Sequence, residues 1–106
     1  MRLKQIRKWL EEGGDLPQDL TPKEKEHLEG LGWKARRQWH RSGQLEQEYS
    51  FLHGKEHGKW RRWNKNGQLW LEISYLHGKK HGKWRTWYED GRSLRYEEWL
   101  YGNKIR

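Results

Sequence analysis

A 24-residue unit runs through the last two-thirds of this chain and confines it to a repeat architecture. From Gln44 the chain reads QLEQEYSFLHGKEHGKW, and from Gln68 it reads QLWLEISYLHGKKHGKW, with 12 of 17 positions identical. Trp39, Trp63 and Trp87 share one phase of the period, Gly43, Gly67 and Gly91 a second, and Gly54, Gly78 and Gly102 a third. A period of about 20 to 50 residues marks one supersecondary unit copied in line, each copy needing its neighbours to bury an apolar side. Such arrays present surfaces more often than pockets.

Composition narrows what the unit can be. Only 31% of residues are apolar and 36% are charged, a balance that would suit a disordered chain. Nine tryptophans and five tyrosines argue the other way, since amphipathic rings suit a thin sheet with half-wet faces. With no cysteine there is no disulfide framework, thiol nucleophile or thiolate metal site. The start, MRLKQIRKWLEEGGD, is too charged for a secretory signal, so the expectation is a cytoplasmic protein. Net charge is +8, and residues 1–35 sum to zero, so the whole excess sits on the repeats. Basic charge concentrated beside aromatic rings favours a polyanionic partner.

The chain divides into a helical cap, residues 1–32, and a β-repeat array, residues 33–106. Leu3, Ile6 and Leu10 have helical spacing, and Gly13-Gly14 ends that run. Thr21-Pro22-Lys23-Glu24 carries the signals of a capping box with proline at the first helical position. From Trp33 the period becomes two. Asn66-Gly67, with Ser42-Gly43 and Asp90-Gly91 in phase, predicts two-residue hairpin turns. HGKEHG from His53 and HGKKHG from His77 predict slightly longer turns. The fold class is therefore mainly β: an antiparallel meander of about six strands built from hairpin repeats.

These turns imply a register. A two-residue turn at Asn66-Gly67 pairs Trp63 with Trp70 and Trp60 with Ile73, and symmetric HGKxHG turns pair Phe51 with Trp60 and Tyr75 with Trp84. One face then carries Leu45, Tyr49, Phe51, Trp60, Leu69, Leu71, Ile73, Tyr75 and Trp84, and reads as the core under the helical cap. The other carries Trp39, Lys59, Arg61, Trp63, Trp70, Lys83, Arg85 and Trp87, and reads as a basic, aromatic surface. In the third unit Leu94 and Tyr96 fall out of step with Leu69 and Leu71, which predicts a bulge near Arg92–Ser93.

Phe51, Gly54, Lys55, Gly58, Lys59, Trp60, Trp63 and Gly67, repeated at Tyr75, Gly78, Lys79, Gly82, Lys83, Trp84, Trp87 and Gly91, form a pattern that resembles the MORN repeat. More closely it resembles the variant in bacterial YwqK-type proteins, commonly labelled antitoxins. The resemblance covers residues 33–106. It implies a β-meander of hairpins and a role in binding, since MORN arrays are associated with lipid headgroups, dimerisation and protein scaffolding.

Two constellations carry the binding chemistry. The first is the face with Trp39, Lys59, Arg61, Trp63, Trp70, Lys83, Arg85 and Trp87, where rings interleaved with cations suit stacked bases and phosphate, at about 1–3 kcal/mol per base. The second is the turn edge with His53, Lys55, His57, His77, Lys79, Lys80 and His81, where glycine-freed amides suit an anion. The histidines sit on separate hairpins beside lysines, so a metal site is not expected. No activated nucleophile, phosphate loop or converging carboxylate pair is present, so neither an enzyme nor a cofactor is expected. The reading is a non-enzymatic binder of nucleic acid or a nucleoprotein complex. The alternatives are an antitoxin or inhibitor that docks its aromatic face on a toxin or enzyme, and an anionic lipid binder. A homodimer through open sheet edges is a further expectation.

Overall fold

The computed structural model describes residues 2–106. Two helices, α1 (Leu3–Glu12) and α2 (Pro22–Gly30), precede nine strands in one antiparallel sheet. The long strands are β1 (Trp33–Trp39), β2 (Leu45–Leu52), β4 (Gly58–Trp63), β5 (Leu69–Leu76), β7 (Gly82–Trp87) and β8 (Ser93–Leu100). Three two-residue strands, β3 (Lys55–Glu56), β6 (Lys79–Lys80) and β9 (Asn103–Lys104), pair back onto β2, β5 and β8. The main path runs in chain order as a meander. No helix is long and apolar enough to cross a membrane.

The two kinds of turn exchange the geometries expected of them. At Asn66-Gly67 the Asn64 carbonyl accepts from Gly67 N–H and Asn64 N–H donates to the Gln68 carbonyl, with Gly67 at φ +85°. That is a three-residue loop closed by a glycine in the left-handed region, and it recurs at His40–Gln44 and Tyr88–Arg92. The Asn66 side chain caps it by accepting from Gln68 N–H, as Asp90 does from Arg92 N–H. The two-residue turns are His53-Gly54, His77-Gly78 and Tyr101-Gly102, where both residues of each pair have positive φ.

Register follows from these turns. Between β4 and β5, Arg62 faces Leu71 and Trp60 faces Ile73, but a bulge then sets Trp63 opposite Leu69 and leaves Trp70 unpaired. The expected Trp63–Trp70 pair is thus replaced. The same bulge recurs at Gln38/Trp39 and Thr86/Trp87, so the third unit keeps the register of the others. Its expected slip near Arg92–Ser93 is absent: Leu94 and Tyr96 occupy the phases of Trp70 and Glu72.

Past each two-residue turn, the chain makes a second break. Phe51 pairs with Glu56, yet farther on Glu48 pairs with Arg61, a shift of two residues absorbed at His57-Gly58. Trp60 therefore lies beside Tyr49, not Phe51. A shift of two preserves which face a side chain occupies, so the expected division of residues between faces survives between the bulges. At the bulges Trp39 pairs with Leu45 and Trp63 with Leu69, across that division.

The helices cover the opposite face from the expected one. Ile6, Trp9, Leu28 and Leu52 form the buried cluster, with Leu10, Leu16, Leu20 and Trp33 packed around it. Leu52 pairs with Trp33 and alternates with Ser50 and Glu48, on the face shared with Arg61. The capping box at Thr21 is present: the Thr21 hydroxyl accepts from Glu24 N–H, and Glu24 accepts from Thr21 N–H. Arg2 pairs with Glu24 and Asp19 and so ties the start of α1 to α2. With Arg2 as its main partner, followed by the Thr21 amide, the Glu24 carboxyl is brought down to about 2.

Gly58 is the point where helix and sheet meet most closely. It sits at φ +91°, and a β-carbon there would lie 2.6 Å from Trp9 Nε1. Its counterpart Gly82 has φ +96° but would meet only Ser74 Cβ, at 3.4 Å. Gly58→Ala is therefore expected to lower stability by about 2–4 kcal/mol, and Gly82→Ala by about 1–2 kcal/mol, from backbone strain alone. Thermal melts of the two variants check this. Equal losses would mean that docking of α1 adds nothing at Gly58.

Candidate binding surface

The helix-covered face is built from charges that neutralise one another. Glu72, on β5, is 5% exposed and accepts from Arg61 Nε at 2.8 Å and from Arg85 Nη2. Lys59 Nζ lies 3.8 Å from the same carboxylate. Arg61 also reaches the linker after α1, where it donates to both Asp15 oxygens at 2.8 and 3.1 Å. Glu48 is a further partner at 3.7 Å. Burial alone would raise the Glu72 carboxyl, but hydrogen bonds from Arg85 and Arg61, with Lys59 nearby, outweigh it and bring the group down to about 2. Burial opposes the charge of Arg61, yet Asp15 and Glu72 hold it above its usual value.

Three of the expected phosphate contacts, Lys59, Arg61 and Arg85, are thus committed within the protein. Lys83 is exposed and makes no ion pair among the described residues. Trp87 is half-buried beneath Arg85, whose guanidinium is 5.2 Å from the ring centroid. Trp70 lies the same distance from the Arg62 guanidinium. The Trp63 carbonyl accepts from His40 Nε2 at 3.0 Å. Trp39 is 58% exposed at the end of β1. These rings do not form one continuous ladder.

The continuous ladder runs on the other face, which the sequence assigns to the core. Tyr49 and Trp60 stack at 4.5 Å with planes 22° apart. Trp60 then meets Tyr75 at 6.4 Å, Tyr75 meets Trp84 at 5.4 Å, and Trp84 meets Trp99 at 6.1 Å. Phe51 abuts Tyr49 edge-on. All six rings are half-buried, shielded by one another and by no helix. Lys80 Nζ sits over both Trp84 and Trp99, at 4.6 and 4.4 Å from their centroids. Alternation places Arg36, Arg62 and Arg95 on this face too, and among the described residues none of these four cations pairs with a carboxylate.

The expected anion-binding turns are closed from within. His57 Nδ1 accepts from His77 N–H at 3.1 Å, so Nε2 carries the proton and donates to the Trp9 carbonyl at 2.6 Å. His81 accepts from Tyr101 N–H in the same way at 3.0 Å. Gly78 and Gly102 N–H donate to the Glu56 and Lys80 carbonyls, and His53 N–H to that of Gly32. An anion nest needs these amides free, and they are spent on stacking one turn against the next. Lys55 and Lys79 lie against Gly78 and Gly102 of the following turn. His57 is 1% exposed, and burial lowers its pKa, with the Trp9 carbonyl opposing and His77 reinforcing that shift. No group of three or more histidines and carboxylates placed to hold a metal occurs among the described residues.

Residues that sequence reasoning passed over are Glu72, Asp15, Trp99 and the open-face arginines Arg36, Arg62 and Arg95. A signal existed for two of them: Glu48 and Glu72 share a phase opposite Arg61 and Arg85, and Trp99 shares that of Tyr75. Asp15 lies in the irregular linker, where no period points to it.

Stability should fall with acid in two steps. The folded pKa of His57 is lowered, so its contribution is complete above the ordinary value of 6.5 and is lost as pH falls below it. Glu72 is also lowered, from 4.5 to about 2, so its contribution is lost between those values. Urea melts from pH 8 to pH 3 check this, and Glu72→Ala at pH 7 should cost about 3–5 kcal/mol by stranding buried cations. A flat profile below pH 6.5 would refute both assignments.

A family model described as a MORN repeat variant matches residues 56–77 and 80–99. The two matches begin 24 residues apart, in step with the structural unit. No curated protein and no solved structure matches the chain. Those two units are similar to the MORN repeat variant, and the hairpin meander they form agrees with that likeness.

Proposed function

We propose that this chain is a non-enzymatic binding protein that holds single-stranded nucleic acid on its open aromatic face. One observation carries the reading. The ladder Tyr49–Trp60–Tyr75–Trp84–Trp99 crosses five consecutive strands on the face without helices, flanked by four cations that form no ion pair among the described residues. Rings supply sequence-tolerant stacking, and Arg36, Arg62, Lys80 and Arg95 supply phosphate contacts. The working residues therefore differ from those expected from sequence. Lys59, Arg61 and Arg85 belong to the neutralised face, and Lys80 is retained.

Duplex nucleic acid fits less well, because its bases are stacked internally and offer no faces to rings. The test is anisotropy of fluorescein-labelled 20-nucleotide DNA and RNA, single- and double-stranded, between 25 and 300 mM salt. Single strands should bind at least about tenfold tighter than duplex, with log K falling linearly in log salt. Arg62→Glu with Lys80→Glu should weaken binding about tenfold or more, while Lys83→Glu on the opposite face should change it less than about twofold. Absence of salt-dependent binding at low ionic strength would overturn the reading in favour of an antitoxin-like protein partner.

A further inference from the structure

The sheet has two outer edges, and they are finished differently. Along β8, Glu98 N–H donates to the Arg106 carbonyl and the Glu98 carbonyl accepts from Ile105 N–H, so the chain covers part of its own edge. Along β1 no such cover occurs among the described residues. Ser50 turns its carbonyl towards His57, away from β1, so Ala35–Ser50 is a pair without mutual hydrogen bonds. Ala35 therefore points its N–H and C=O outward, and Trp33 and Arg37 follow by the same alternation. The Ala35 carbonyl bonds only to its neighbour's side chain, Arg36 Nη1 at 3.0 Å.

A groove of about 720 Å³ opens onto this edge. Every residue from Trp33 to Arg37 lines it, so it wraps the strand's edge as well as one face. Its far wall is mixed: Leu16, Pro17 and Leu20 of the linker between the helices give it an apolar strip, beside Asp15, Gln18, Lys25 and Glu29. On the other side of β1, Lys34 and Arg36 are exposed and make no ion pair among the described residues.

We infer that the β1 edge is a docking site for an extended peptide segment alternating apolar and acidic residues, added to the sheet as a further strand. The row of outward groups on Trp33, Ala35 and Arg37 supplies main-chain pairing for such a strand. Successive side chains of an added strand point to opposite faces. Its apolar positions enter the groove against Leu16, Leu20 and Trp33, and its acidic positions meet Lys34 and Arg36. Arg36 exchanges its bond to the Ala35 carbonyl for a carboxylate. Basic residues on an edge guard it against indiscriminate pairing, and here they select the charge of what pairs. The edge borders the open aromatic face and shares Arg36 with it, but peptide pairing read at the Ala35 and Arg37 amides is tested independently of nucleic-acid binding.

The experiment titrates full-length protein with fluorescein-labelled octapeptides alternating Val with Glu or Val with Lys. A third peptide carries proline in the middle of the Val/Glu sequence. Backbone amide spectra follow Ala35 and Arg37. The Val/Glu peptide should bind at least about tenfold tighter than either other peptide and protect both amides from exchange. Ala35→Pro deletes one outward N–H, which an edge strand tolerates, and should cut affinity about tenfold with the fold intact by its melt. Arg36→Glu should invert the preference towards the Val/Lys peptide, which keeps the test decisive should Ala35→Pro fail to fold. Lack of binding by the Val/Glu peptide would overturn the proposal. So would binding that leaves the Ala35 and Arg37 amides unprotected, or an unchanged charge preference in Arg36→Glu.

Discussion

Docking of Trp9 against Gly58 and His57 decides what each face of the sheet can be. The indole ring meets the His57 imidazole edge-on at 4.5 Å, and the Trp9 carbonyl accepts that ring's proton. The other nitrogen of the ring accepts from the next turn, so one buried side chain joins α1 to two successive repeats. Gly58 lacks the β-carbon that would hold the indole away. Once α1 is seated there, the linker passes over the strands that carry Glu48, Arg61 and Glu72, and Asp15 can reach Arg61. The face under the cap loses water and must balance its charges. The opposite face, relieved of any cover, keeps Arg36, Arg62, Lys80 and Arg95 without an ion-pair partner among the described residues.

A buried carboxylate among three cations is weak evidence for stability, because desolvation offsets most of the attraction. Its consequence here is geometric. Arg61 and Arg85 approach Glu72 from the strands on either side, so β4, β5 and β7 are held in one register by side chains as well as by backbone. The aromatic ladder on the other side spans the same strands through ring contacts. Each unit is thus clamped from both faces, by charge on one and by π-contacts on the other. Tyrosine and tryptophan tolerate partial exposure in a way that leucine does not, which allows an aromatic face to remain open.

The period, the meander and the capping box at Thr21 were all legible in the sequence, because each depends on spacing or on a local hydrogen bond. The partition of residues into two faces was legible for the same reason along the regular stretches, but not at the bulges, where Trp39 and Trp63 pair with Leu45 and Leu69. Which face is inside was not. Hydrophobicity assigns Trp60 and Tyr75 to the core and Arg61 and Glu72 to water, yet ion pairing lets charged side chains lie under the helices. That pairing joins residues on different strands, and one member, Asp15, lies 46 positions from Arg61. Turn type was misjudged on similar grounds. Asn-Gly favours positive φ at both positions, but here Asn66 serves as a side-chain cap, while His53 and His77 take the left-handed conformation. For His77, the reason is visible in its N–H, which that conformation aims at His57.

Repetition alone would make every unit equivalent, and the open face shows where the units part. Glu56, Lys80 and Lys104 occupy one phase, each paired across a two-residue turn with Phe51, Tyr75 or Trp99. The first is acidic, and the last is 3.4 Å from Glu97. Only Lys80 combines a positive charge with freedom from a carboxylate, and it lies over two tryptophans at once. The aromatic platform is therefore uniform across the strands, whereas its unpaired cations, Arg36, Arg62, Lys80 and Arg95, do not follow the repeat. Arg62 and Lys80 stand on either side of the Tyr75–Trp84 contact, in the middle of the ladder. A repeated scaffold with a non-repeated charge gives a ligand a preferred position along the ladder, which a perfectly regular array would not provide.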